Sequence, residues 1–173
     1  MTKNLFLIGA RGTGKTTVGR LVAERLGWRF CDADVLLEER AGKTIRAIFE
    51  TEGEAAFRDR ESALLAEIAG RQDHVVATGG GVVLRAENRL CLARGDVVWL
   101  RAEPVVLWQR LQQDASTAER RPDLAQGGLA EIEEVLRIRA PLYERCADLA
   151  VDADTRTPDE VSSLILAWHR GEP

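Results

Sequence analysis

An apolar run that breaks into glycines and then a lysine with two threonines, "LFLIGARGTGKTTVGRL" at residues 5–21, constrains this chain more than any other feature. Within it "GARGTGKT", Gly9 to Thr16, fits the pattern G-x-x-x-x-G-K-[ST], which requires a strand before it and a helix after it. Both flanks are present: the apolar residues 4–8 read as a buried strand, and Val18, Leu21, Val22 and Leu26 recur at helical spacing. Glycines let successive backbone N–H groups turn inward, and the helix N-terminus adds the positive end of its dipole. The loop is therefore expected to cradle nucleotide phosphates through Gly12, Thr13, Gly14 and Thr17, with Lys15 reaching the outer phosphates and the Thr16 hydroxyl ligating Mg²⁺.

Further short runs rich in Val, Leu and Ile predict strands near 28–34, 74–78, 96–100 and 148–152. Helical patterns near 34–41, 54–69, 84–94, 103–112, 128–146 and 158–169 separate them, the last opening on "TPDE" with Thr157 as N-cap and Pro158 at the first helical position. This alternation predicts an α/β fold with a parallel sheet covered by helices on both faces. With 173 residues, 45% of them hydrophobic, and no Pro-, Gly- or Ser-rich linker, residues 1–173 are expected to form one domain. The polar, aperiodic segment at about 112–128, "QQDASTAERRPDLAQGG", is read as a mobile lid.

The net charge of −4 supplies no global basic field for nucleic acid or an anionic membrane. No run approaches the ~18 apolar residues of a spanning helix, so a cytoplasmic protein with no membrane partner is expected. Cys31, Cys91 and Cys146 are widely spaced and are read as reduced, structural thiols. His74 and His169 have no ligand partners at metal-binding spacing, and the four tryptophans are scattered as packing residues.

A phosphate loop does not name its acceptor. Here "HVVAT" runs straight into "GGG" with no carboxylate at the strand end to position water, and no Asn-Lys-x-Asp for guanine is found. The acids stand elsewhere, in "DAD". On an extended strand Asp32 and Asp34 would share a face, one serving the metal and the other an acceptor hydroxyl; capping of the next helix is the alternative. The triglycine of "TGGGVV" can bring bare N–H groups to a carboxylate or hydroxyl. Glu61 falls on the apolar stripe of Phe57, Leu64 and Ile68, three residues after Arg58, so an Arg58–Glu61 pair would fix that guanidinium. Arg139 shares a helix face with Ile132, Leu136 and Tyr143, where an anionic ligand would compensate its charge. Together these features point to an acidic acceptor. Arg120 and Arg121 lie in the lid segment, where closure over the phosphates would stabilise charge and exclude water, and Arg11 faces either the phosphates or solvent. Other readings are a kinase of another small acid such as gluconate or of a nucleotide, and a nucleotide-binding regulator.

These residues together resemble the shikimate kinases, within the nucleoside-monophosphate-kinase-like group. The resemblance runs from about Asn4 to Ala167 and rests on "GARGTGKTTVGRLVAERLG", "DADVLLEERAGKTIRAIFETEGEAAFRDRE", "TGGGVV", "RRPDL" and "RAPLYERCADLAVD". It implies a five-stranded parallel sheet in the order 2-3-1-4-5, an acceptor-binding region at about 33–61, ATP as donor with Mg²⁺, and transfer to the 3-hydroxyl of shikimate in aromatic amino acid biosynthesis. It further implies that Lys15 and Thr16 hold phosphates and metal, with Asp32 supporting the metal. Asp34 orients or deprotonates the attacking hydroxyl. Arg58, Arg139 and the Gly80 and Gly81 backbone bind the acid. Arg121, beside Arg120, is the lid arginine, while Arg110 and the loop around Arg156 flank adenine. Ala33 stands where threonine or serine is frequent in the family and Asp123 where leucine is, the second bearing on lid closure. A monomer is expected.

Overall fold

Apolar runs with no polar alternation are stable only as strands covered on both faces, and the chain builds that arrangement. The structure, a computed structural model, describes residues 3–113 and 128–172. Strands β1 (Leu5–Ile8), β2 (Arg29–Asp32), β3 (His74–Ala77), β4 (Asp96–Arg101) and β5 (Leu149–Asp152) pair in parallel in the order β2-β3-β1-β4-β5. The described helices are α1 (Lys15–Leu26), α2 (Ala33–Ala41), α3 (Ile45–Ala69), α4 (Ala86–Leu92), α5 (Pro104–Gln113), α6 (Gly128–Cys146) and α7 (Pro158–His169).

The period of two along each strand sorts the core into two layers. Leu5, Leu7, Val75 and Val98 pack with Val18 and Val22 of α1 and Val161 and Ile165 of α7. On the opposite face Phe6, Ile8, Val76 and Val97 pack with Ile48, Phe57, Leu64 and Ile68 of α3 and Tyr143 of α6. Every residue of β1 and β3 is buried, which accounts for the wholly apolar sequence of β1 and the apolar run after His74 in β3. At the start of α7 the Thr157 hydroxyl accepts from the Glu160 N–H, and the Glu160 carboxylate accepts from the Thr157 N–H and hydroxyl, which hold it below its usual range. No helix among the described residues is long and apolar enough to cross a membrane.

Three boundaries differ from the sequence reading. The second strand stops at Asp32 rather than Asp34, because the Asp32 carboxylate caps α2 by accepting from the N–H groups of Asp34 and Val35. Asp34 is thus in the first turn of a helix, not on an extended strand. The helix expected from residue 54 begins at Ile45, capped by Thr44, and is interrupted at Gly53 (φ 85°, ψ 171°). That left-handed, extended conformation is available to glycine at little cost, and it restarts the helical phase just before the Phe57 stripe. The fourth helix is preceded by a 3₁₀ turn, Val82–Leu84, that brings the chain out of the triglycine.

Candidate active site

The carboxyl ends of β1, β2 and β3 open into a cleft of about 860 Å³ lined by the glycine loop and by Asp34, Arg58, Gly80 and Arg139, and a Cβ on Gly80 would stand 3.6 Å from Arg11 N and from the Gly9 carbonyl oxygen of the loop. The loop leaves β1 at Gly9 and enters α1 through Gly14, whose φ of 92° turns the backbone into the helix without a Cβ penalty. The Lys15 ammonium donates to the carbonyls of Gly9 and Ala10 at 2.8 and 2.7 Å, so it spans the loop at the position where outer phosphates are expected. Gly12, Gly14, Thr16 and Thr17 also line the cleft. Thr13 does not: it is buried and its hydroxyl donates to the Ala10 carbonyl at 2.9 Å, bracing the loop from behind.

Asp32 divides its two oxygens. Oδ1 caps α2, while Oδ2 accepts from the Thr16 hydroxyl at 2.7 Å. A hydroxyl and a carboxylate at the end of a phosphate loop form an all-oxygen donor set, which fits Mg²⁺ completed by substrate phosphates and water. Among the described residues no group of three or more His, Cys, Asp or Glu could hold a metal ion. Capping and cleft lining are therefore simultaneous properties of this one side chain. Asp34 reaches the same cleft from the first turn of α2.

The wall next to Asp34 is ionic. Arg58 and Glu61, one turn apart on α3, pair at 2.7 Å with side chains only 7% exposed, and the exposed Glu54 lies 3.3 Å from the same guanidinium. The Phe57 ring lies 5.0 Å below the Arg58 Cζ and adds a cation–π contact. The triglycine threads between these groups with no room to spare. A Cβ on Gly79 would stand 2.8 Å from Asp34 Oδ1 and 2.9 Å from Glu61 Oε1, and one on Gly81 would stand 2.5 Å from Arg58 Nη2. Gly80 faces Arg139, whose Nη1 lies 3.5 Å from where its Cβ would be. Gly81 itself is buried against Arg58.

Arg110 lies beside the loop rather than inside the cleft, donating to the Gly12 carbonyl at 3.2 Å and the Ala153 carbonyl at 2.7 Å, so α5 ties the phosphate loop to the segment after β5. Arg156 is exposed on that segment and donates to the Asp152 carbonyl. Arg11 lines the cleft. Of the expected lid, residues 114–127, with Arg120 and Arg121, lie outside the described residues. Cys31, Cys91 and Cys146 are free and partly buried, and burial pushes the Cys31 and Cys146 thiols up. His74 bonds the Gln72 carbonyl and His169 bonds Asp96, both within the scaffold.

Two participants escape the sequence reading. Gly79 closes the gap between Asp34 and Glu61, but nothing in a run of three glycines distinguishes the first. Tyr143 is legible as a core residue of α6, yet its hydroxyl donates to the Gly80 carbonyl, a partner 63 positions away. Neither contact has a local sequence signal.

The family model for shikimate kinase matches residues 11–170 of this chain. The curated shikimate kinase of Rhodopirellula baltica is 46% identical over 166 residues, covering 95% of this chain and 89% of the relative. That of Methylococcus capsulatus is 47% identical over 171 residues, covering 97% and 93%. Among solved structures, shikimate kinase from Acinetobacter baumannii in complex with shikimate superposes with a TM-score of 0.90 at 36% identity, covering 99% of this chain and 94% of that one. A family model matched across nearly the whole length, together with full-length relatives well above 30% identity, leaves one assignment: the chain belongs to the shikimate kinase family.

Proposed function

We propose that this protein transfers the γ-phosphoryl group of ATP to the 3-hydroxyl of shikimate, giving shikimate 3-phosphate for aromatic amino acid biosynthesis. The observation that carries the proposal is the composition of one cleft, which brings together a phosphate loop, the Asp34 carboxylate, two arginines and Gly80 of the triglycine. Family membership supplies the identity of the acid.

In this reading the loop N–H groups and Lys15 hold the outer phosphates, and Lys15 exchanges its bonds to the Gly9 and Ala10 carbonyls for phosphate oxygens as the nucleotide enters. Thr16 and Asp32 would hold Mg²⁺, which when bound neutralises charge on the β- and γ-phosphates. Asp34 accepts a hydrogen bond from the attacking hydroxyl and orients it or takes its proton. Arg58 and Arg139, with the Gly80 and Gly81 backbone, hold the ring carboxylate and neighbouring hydroxyls. The Arg58–Glu61 pair favours this assignment by keeping the guanidinium in one orientation before substrate arrives. Arg110 and Arg156 flank the base of ATP. Arg121, with Arg120 beside it, enters from the sequence alone as the arginine that approaches the transferring phosphate. The enzyme is read as a cytoplasmic monomer with small-molecule partners only.

The test is ADP release with Mg²⁺ and ATP in the presence of shikimate, gluconate, a nucleoside monophosphate or no acceptor, with the product identified by mass. Stimulation by shikimate with a shikimate phosphate as product is expected. Stimulation by gluconate or the nucleotide instead, or ATP binding with no acceptor-dependent turnover, overturns the proposal.

A further inference from the structure

We infer that Tyr143 is a positioning residue for the acid-binding end of the cleft: its hydroxyl holds the Gly80 carbonyl, and this bond sets how the triglycine presents its N–H groups opposite Arg139. The inference rests on the proposed function of the same site.

Tyr143 stands four residues after Arg139 on α6, so the two side chains lie on one helix face a single turn apart. The Tyr143 ring is fully buried and packs on Trp99 of β4, with centroids 5.7 Å apart, which fixes where its hydroxyl can reach. That hydroxyl donates to the Gly80 carbonyl, and Arg139 faces the Cα of the same glycine. One residue on, the missing side chain of Gly81 leaves space for the Arg58 guanidinium. The triglycine is thus where α6 and α3 meet, Gly79 and Gly81 against Glu61 and Arg58 of α3 and Gly80 against Arg139 of α6, and the tyrosine bond is a directional link that ties the middle glycine to α6. A triglycine has large conformational freedom to lose, and a loop that must aim N–H groups at an anion gains from losing it before the ligand binds. Holding the carbonyl of a peptide toward the tyrosine directs the following N–H, that of Gly81, the opposite way within the same plane, because the unit is planar and trans.

This role separates from simple core filling. Tyr143→Phe keeps the ring against Trp99 and removes only the donor, so the predicted effect falls on recognition of the acid and not on the nucleotide. A lost hydrogen bond that leaves a partly buried acceptor is worth about tenfold in affinity. In the variant KM for shikimate is therefore expected to rise about tenfold, with KM for ATP unchanged. The experiment compares wild type and Tyr143→Phe with shikimate and with its methyl ester, which lacks the anionic carboxylate, and records melting temperature and ATP affinity as checks of fold. Wild-type turnover of shikimate reads the proposed function; the variant-to-wild-type ratio reads the tyrosine. A penalty present with shikimate and largely absent with the ester supports the inference. A wild type active on shikimate, paired with a variant whose KM for shikimate is unaltered or whose loss is the same for both acceptors, overturns it and leaves the proposed function standing. A wild type inactive on shikimate overturns both.

Discussion

Replacing both members of the Arg58–Glu61 pair should separate stability from substrate recognition at one site. The two side chains are 7% exposed and 2.7 Å apart, so each depends on the other for compensation of a desolvated charge. Removing one partner of such a pair costs about 3–5 kcal/mol, whereas replacing both by apolar residues of similar volume is close to neutral. For a chain of this size 1 kcal/mol corresponds to roughly 2–4 °C, so Arg58→Met should lower the melting temperature by about 10 °C. Glu61→Leu should cost less, because Glu54 stays 3.3 Å from the guanidinium, although at 64% exposure that contact is weak. The double variant should regain most of the lost stability, a strong departure from additivity. Its KM for shikimate should nevertheless remain raised about 10- to 100-fold, the worth of one charge-assisted contact, with KM for ATP near that of wild type. Thermal melts of the four proteins and initial-rate kinetics on each provide the comparison. Stability losses that simply add would refute the coupling argument, and a double variant with wild-type KM for shikimate would remove Arg58 from the acid-binding role.

Lys15→Met should lower kcat by about 10²–10³-fold or more, since it deletes the ammonium proposed to hold the outer phosphates, and near-normal turnover in a coupled ADP assay would contradict the role assigned to it. Gly79→Ala places a methyl group 2.8 Å from Asp34 Oδ1 and 2.9 Å from Glu61 Oε1, so kcat should fall while KM for ATP stays within about twofold; an unchanged kcat would mean that Asp34 tolerates displacement. Glu67, bonded by Arg40 and Arg71, has its carboxyl lowered from 4.5 to about 2, so its contribution to stability is complete above about pH 4.5 and disappears as pH falls toward 2. The melting-temperature advantage of wild type over Glu67→Gln should therefore be present at neutral pH and shrink toward zero in acid, and a difference independent of pH would refute the assignment.

Much of the scaffold is legible because it depends on local rules. The phosphate loop needs glycines, a lysine and a hydroxyl at set spacing, the last helix carries its own capping box, and the strands buried on both faces carry apolar runs. Arg58 and Glu61 are legible as partners because one turn of helix brings them together whatever the rest of the chain does. Boundaries were less so. Residues 33–34 lie in a helix because the Asp32 carboxylate caps it, the alternative that the sequence left open, and the helical piece from Ile45 is hidden by the break at Gly53. The strand order of the sheet follows from family resemblance and not from any periodicity, since each strand's apolar pattern is compatible with several neighbours.

What the sequence by itself determined is the chemistry available: a phosphate cradle, two carboxylates after the second strand, a triglycine and arginines on two helices, each set by short-range spacing. What only the tertiary structure decided is how these meet. Asp32 serves Thr16 and the α2 cap with separate oxygens, Gly79 fills the gap between Asp34 and Glu61, Arg110 joins the loop to the segment after β5, and Tyr143 holds Gly80. These contacts join residues up to 98 positions apart, and their distances are set by strand register and helix packing rather than by any local preference of the residues that make them.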